Sequence, residues 1–258
     1  MKIYVLVKEV PDTYGDRKLD LETGLADRGA GDVVLDEITE RALEVALSYA
    51  DKNAGTEVVA LSMSPESATA SVRRALAIGA ASAVHVVDEQ LRGADLGLTA
   101  ATLAAAIRRG EPDLVITGNL STDGSGGVIP AMLAEHLGFT QATALSAVEI
   151  TEGQVSGTRS SDAGTQQVTA ALPAVISITE ALPDARFPNF KGIMAAKKKP
   201  LEVLSLADLG VSADPAEAPH TIMTAVSEKP PRAAGVKIVD EGDAAAQLVE
   251  FLAQNRLV

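Results

Sequence analysis

The sequence predicts an α/β protein: an open, mostly parallel sheet with flanking helices, continued by an antiparallel extension and a C-terminal arm. Three observations carry this reading. Short apolar runs rich in β-branched residues recur at 3–7, 58–63, 83–87 and 114–117. Ala-rich amphipathic segments separate them, as the crossovers of a parallel sheet require. Beyond Gly138, strand-like runs at 144–150, 154–158, 166–172 and 174–179 follow one another through Gly-containing turns, without long helices between them.

Each helix carries its own signals. The first is expected to start at Asp36, an N-cap residue with Glu37 and Glu40 in the first turn, and Ile38, Ala42, Ala46 and Ala50 then share a face. Ser64-Pro65 opens the second, with Ser as cap and Pro in the first helical position, and Gly79 stops it. The third covers about 96–109, ahead of Gly110 and Pro112. A fourth follows a glycine-rich loop, over about 127–137. Pro188 and Gly192 break the stretch 184–196, which reads as an exposed loop ending in Lys197-Lys198-Lys199-Pro200. From Ser212 the chain turns rich in Ala, Pro and charge, with Pro215, Pro219, Pro230 and Pro231 ahead of a final amphipathic helix at about 243–257. The expected division is a nucleotide-binding domain over 1–211 and an arm over 212–258 that orders on a partner.

Composition narrows the function. The 258 residues carry a formal net charge of -13, which repels a phosphate backbone, and only 3% are aromatic, so nucleic acid is not an expected ligand. Zero Cys excludes thiol catalysis, disulfides and Cys-ligated clusters within this chain. His85, His136 and His220 lie far apart without ligand-like spacing, and His85 reads as a satisfied structural residue inside a strand. The opening apolar stretch, closed by Lys8-Glu9, is too short for a membrane span or a secretory segment, which makes the cytoplasm the expected address.

The strongest chemical signal is the loop Gly118-Asn119-Leu120-Ser121-Thr122-Asp123-Gly124-Ser125-Gly126-Gly127, between an expected strand and an expected helix. Open parallel sheets bind ligands at such turns: glycines allow close approach, hydroxyls donate to phosphate oxygens, and the next helix offers free N–H groups. It is neither a dinucleotide fingerprint nor a P-loop, since no Lys follows the glycines. A turn that binds nothing is the competing reading. Asp123 is read first as a turn-organising residue and second as a ribose ligand. Lys197-Lys198-Lys199 is either a solvated cap or a steering patch. Phe187, Phe190, Ile193 and Met194 on the broken segment beside it suggest an interface, or a loop folded back on the core.

Several segments together resemble the beta subunit of electron-transfer flavoproteins. They are Val7-Lys8-Glu9-Val10-Pro11-Asp12, the helix that starts Asp36-Glu37-Ile38-Thr39-Glu40, the run Arg74-Ala75-Leu76-Ala77-Ile78-Gly79, and the loop Gly118 to Gly127. The most specific is Arg186-Phe187-Pro188-Asn189-Phe190-Lys191-Gly192-Ile193-Met194, continued to Pro200, and the tail segment Pro230-Pro231-Arg232-Ala233-Ala234-Gly235 also matches.

The resemblance implies a Rossmann-like sheet of the adenine-nucleotide-binding type. It implies structural AMP bound by Leu6, by Asp36, Glu37, Ile38 and Thr39, by Met63, and by the loop through Val128 and Ile129. It also implies FAD held mainly by a larger alpha subunit. Electrons would arrive from acyl-CoA or other dehydrogenases and leave to a membrane quinone reductase. Arg186, Phe187, Phe190, Ile193 and Met194 would meet the dehydrogenase, with Phe190 at the place of an apolar anchor that is usually Leu. The chain departs from the family pattern at Thr13, where an aromatic is common, and at Ser160, after Arg159, where an acidic residue is common, so no flavin-tuning residue is assigned. A relative holding a second FAD in place of AMP is the alternative within the family, and a stand-alone adenine-nucleotide sensor the alternative outside it. An independent enzyme lacks an identifiable acid, base or nucleophile in this sequence.

Overall fold

The computed structural model describes residues 1–214, 216, 221–232 and 234–258, so that Pro215, Pro219, His220 and Ala233 lie outside the described residues. The chain divides into two compact units, Met1–Thr224 and Ala225–Val258. The first begins with β1 (Lys2–Leu6). The short β2 (Glu9–Pro11) and β3 (Val33–Leu35) follow and pair antiparallel with each other, bracketing a long connection. Then come α1 (Glu37–Ala50), β4 (Glu57–Met63), α2 (Thr69–Ile78), β5 (Ser82–Val86), α3 (Leu96–Gly110), β6 (Leu114–Thr117) and α4 (Ile129–Leu137). The rest of the unit is β7 (Thr140–Ile150), β8 (Gln154–Ser161), β9 (Gly164–Ala171), β10 (Ala174–Ile178), α5 (Phe190–Ala196), β11 (Leu201–Leu204) and α6 (Leu206–Leu209).

One sheet runs β11-β5-β4-β1-β6-β10-β7-β8-β9. Every pairing from β11 to β7 is parallel, and only β7-β8-β9 is antiparallel. The expected antiparallel extension therefore loses one member. The run at 174–179 becomes β10, between β6 and β7 and parallel to both. Its five residues are all buried, which suits a strand covered on both faces, whereas β9 is largely exposed at the sheet's far edge.

Strand alternation divides the core. Ile3 and Val5 pack with Leu43 and Leu47 of α1 and with Val72 and Leu76 of α2. Tyr4, between them in sequence, belongs with Leu61, Leu103 and Ile107 of α3, and Leu133 of α4. Helices α1, α2 and α5 cover one face and α3, α4 and α6 the other.

Three local expectations are corrected. Ser64 does not cap a helix: a 3-10 turn (Glu66–Ala68) follows Pro65, α2 starts only at Thr69, and the Ser64 hydroxyl turns to Ser62 and His85. The segment 184–196 is not loop throughout, because Asn189 Oδ1 accepts from Gly192 N–H and starts α5. Gly192 is required there, since a Cβ would stand 2.5 Å from the carbonyl oxygen of Ala77 where α5 rests on α2. Of the lysine run, Lys197 and Lys198 are exposed, but Lys199 Nζ donates to the carbonyls of Leu76 and Ala80 at 2.8 and 2.6 Å. It neutralises the C-terminal end of α2, and burial lowers its pKa.

In the second unit α7 (Ala244–Gln254) forms the terminal helix. Leu248, Val249 and Phe251 on it are all exposed.

Candidate functional site

After β1 the chain builds β4 and β5 on one side of that strand, then crosses to place β6 and β10 on the other. The reversal leaves a crevice at the carboxyl ends of β1 and β6, because the connecting segments there turn to opposite faces of the sheet. A cleft of about 980 Å³ opens at this point. Leu6, Val7 and Lys8 enter it from β1, Met63 and Ser64 from β4, Val86 and Val87 from β5, and Gly118 and Asn119 from β6.

Asp123 organises the loop. Its Oδ1 accepts from Lys8 Nζ at 2.7 Å and from its neighbour Gly124 N–H at 2.6 Å, and its Oδ2 accepts from Arg28 Nη2 at 3.1 Å. Burial opposes its ionisation, but the hydrogen bond and charge of Lys8 override this and hold the carboxyl at about 2. With both oxygens engaged, Asp123 takes the turn-organising role. Arg28 also donates to the carbonyl of Glu9, and Arg17 to that of Thr122, so the connection between β2 and β3 is fastened beside the cleft.

Asp36 frames the loop from the other side. It stands at the N-cap of α1 without making a side-chain cap, and its Oδ2 instead accepts from Thr122 N–H at 3.0 Å. Asp36 is 1% exposed, and burial, together with the nearby charge of Asp123, raises its pKa against the effect of that N–H. Its Oδ1 and the hydroxyl of Thr122 have no partner among the described residues. Gly127 closes the loop with φ +67°, a left-handed conformation that favours Gly. The start of α4 bears no side-chain cap, which leaves first-turn N–H groups for an anion.

Of the nucleotide contacts expected from the sequence, the cleft gathers Leu6, Ile38, Thr39, Met63, Gly118, Asn119, Ser121, Gly124, Gly126, Gly127 and Ile129. Asp36, Thr122 and Asp123 are the frame behind that wall. Glu37, Leu120, Ser125 and Val128 are exposed and do not line it. Sequence reasoning missed Lys8, Arg28 and Ser64. Lys8 and Ser64 follow close on strand ends, a signal open to use, whereas Arg28 reaches the loop only through the fold of a long connection.

His85 is buried in β5, and burial lowers its pKa. Its Nε2 lies 2.8 Å from Ser64 Oγ, while its Nδ1 has no partner among the described residues. The expected satisfied histidine is thus satisfied on one nitrogen. His136 is exposed on α4. No group of three or more His, Asp or Glu able to hold a metal occurs among the described residues.

A second feature is the expected partner segment. Phe187 is 87% exposed and Phe190 79%, with Ile193 and Met194 about half exposed beside them. Arg186 differs from these four. Its Nε and Nη2 donate to the two Glu44 oxygens at 2.8 Å each, and Nη2 also reaches Asp51 at 2.8 Å. This bidentate grip commits Arg186 to α1 and its end, anchoring the base of the segment.

The sequence matches the model of the electron transfer flavoprotein domain over residues 23–209. It is 46% identical to electron transfer flavoprotein subunit beta of Mycobacterium tuberculosis, with 99% of each chain covered. The chain belongs to the electron transfer flavoprotein beta-subunit family. Within that family it is 35% identical to the beta subunit of Syntrophomonas wolfei, over 98% of this chain and 96% of the other. It is also 33% identical to the caffeyl-CoA reductase-Etf complex subunit CarD of Acetobacterium woodii, over 82% and 81%. Membership in this family makes the chain an electron-transfer carrier subunit of the flavoprotein kind. No helix among the described residues is long and apolar enough to cross a membrane.

Proposed function

We propose that the chain is the AMP-binding half of a heterodimeric electron carrier. The observation that carries this is the cleft at the sheet's reversal point, with an apolar wall at Leu6, Ile38 and Met63 and a polar rim at Lys8, Arg28 and Ser121. An adenine ring suits the first and a phosphate the second. The open start of α4 and the N–H groups of the glycine loop add donors for the phosphate oxygens. AMP here is structural: it binds in the cleft and takes no part in electron movement.

The larger alpha subunit holds most of the FAD, which supplies the reversible acceptance of electrons, and this chain helps to enclose it. The arm over 212–258, with its exposed helix, packs on that subunit. Phe187, Phe190, Ile193 and Met194 dock acyl-CoA or other dehydrogenases, Arg186 holds the base of that segment, and a membrane quinone reductase takes the electrons onward. The chain is no independent catalyst, and its place is the cytoplasm.

The size of the cleft supports a second reading. About 980 Å³ stands at the upper end of ordinary ligand pockets, roughly 300–1,000 Å³. A second FAD in place of AMP, as in an electron-bifurcating carrier, is therefore the competing occupant. Heat-denaturing the purified heterodimer and separating the released nucleotides by chromatography decides between them. Equal amounts of FAD and AMP are expected; two flavins without AMP would establish the competing reading.

A further inference from the structure

Ser64 opens onto the cleft just beyond β4, and the following inference rests on the reading of that cleft as an AMP site. Its Oγ lies 2.8 Å from His85 Nε2 and 3.0 Å from Ser62 Oγ. Both neighbours are sealed from solvent, His85 at 0% exposure and Ser62 at 2%. A neutral imidazole carries one N–H, and the partners decide which nitrogen bears it. On Nδ1 that hydrogen would be a buried orphan, because Nδ1 has no partner among the described residues. An unpaired lone pair is more readily tolerated than an unpaired N–H. The hydrogen therefore sits on Nε2 and is donated to Ser64, whose Oγ and carbonyl oxygen, at 3.2 Å, are both within reach.

Ser62 completes the set. Its buried hydroxyl makes no other side-chain hydrogen bond among the described residues, so its hydrogen goes to Ser64 Oγ, the reverse direction leaving that hydrogen buried and unpaired. The two lone pairs of Ser64 Oγ are then both engaged. Its own hydrogen is left for the one remaining side, the cleft that Ser64 lines. Strands β4 and β6 are separated by β1, which puts Ser64 about 10 Å from the strand that leads into the glycine loop. That span carries a mononucleotide from phosphate to base, and Met63 and Val86, which line the cleft at neighbouring strand ends, offer it apolar side chains.

We propose that Ser64 is a specificity-determining residue whose hydroxyl donates a hydrogen bond to a ring nitrogen of the bound adenine. The buried pair Ser62 and His85 fixes the direction of that donor. A ligand lacking an acceptor at this place would leave the Ser64 hydrogen unpaired, which turns a packing contact into a choice between bases.

The test is calorimetric titration of the full chain with AMP and with analogues in which N1, N3 or N7 is replaced in turn by C–H. The wild-type chain is expected to lose about three- to tenfold in affinity for one of the three, the worth of one neutral hydrogen bond. Ser64→Ala is expected to bind AMP more weakly by a similar factor and to show no further loss with that analogue. Ser64→Thr, which keeps the hydroxyl, restores the discrimination. If the wild type and Ser64→Ala show the same losses across the panel, or if Thr behaves as Ala, the assignment of Ser64 is overturned while the AMP reading stands. Failure of the wild type to bind AMP at all would overturn both.

Discussion

Lys8 Nζ, just past the end of β1, lies 2.7 Å from Oδ1 of Asp123 in the loop after β6. This contact spans the reversal point of the sheet and joins two connections that the sequence separates by more than a hundred residues. Arg28 completes the cluster from the connection between β2 and β3, at 3.1 Å from the other oxygen. One carboxylate thereby fixes three segments at the cleft and keeps two cations facing the same space.

Asp123→Asn tests that fastening. The carboxyl is held at about 2 against an ordinary 3.8, so its contribution is fully present above 3.8 and is lost as pH falls toward 2. At pH 7 the substitution should cost about 1–2 kcal/mol in urea unfolding, a value discounted for the solvent exposure of Lys8 and Arg28. The difference between the two chains should shrink as pH falls through that window. A pH-independent difference would show that the charge is not what fastens the loop.

Asp36 predicts the opposite pH behaviour. Its folded pKa is raised, so the carboxyl is most favourable when protonated, and stability falls as pH rises above its ordinary 3.8. Asp36→Asn keeps an acceptor for Thr122 N–H without the buried charge, and it should match or exceed the wild type at pH 7. Asp36→Ala should lose about 1–3 kcal/mol by leaving that N–H unpaired. Urea midpoints at pH 4 and pH 7 decide, and an Asn variant as weak as the Ala variant would sink this account.

The exposed ring of Phe190 predicts a loss confined to docking. Phe190→Ala leaves α5 a good helix former at its first position and touches nothing in the cleft. AMP binding should be unchanged, while electron transfer from a dehydrogenase, followed by flavin bleaching, should slow roughly tenfold or more, as for a buried interface anchor. An unchanged rate would end the anchor assignment.

The arm predicts a separable loss. Met1–Thr224 is a compact unit by itself, so a chain ending at 224 should remain folded by circular dichroism. It should no longer co-purify with the larger subunit, because the apolar side chains of α7 go with the deleted segment. Retained pairing would remove the arm from the interface.

Much of the fold was legible because its signals are local. The alternation of apolar runs with amphipathic stretches located β1, β4, β5 and β6, and the glycine loop announced a turn at the carboxyl edge of the sheet. Strand β10 was assigned to the wrong kind of pairing, since a five-residue apolar run marks burial but not direction, and direction depends on which neighbours the chain reaches. Short β2, β3 and β11 were not foreseen, because three or four residues carry too little periodicity to read.

The site divides in the same way. Sequence alone determined which residue types stand at the strand ends and in the glycine loop, because covalent order places them there whatever the packing. Tertiary structure decided what each side chain does. Asp36 left its cap to hold Thr122, Asp123 was taken up by Lys8 and Arg28, Arg186 by Glu44 and Asp51, and Ser64 by His85 and Ser62. Each pairing is set by distance across the folded sheet, and a polar group near the interior takes the partner that packing brings within about 3 Å.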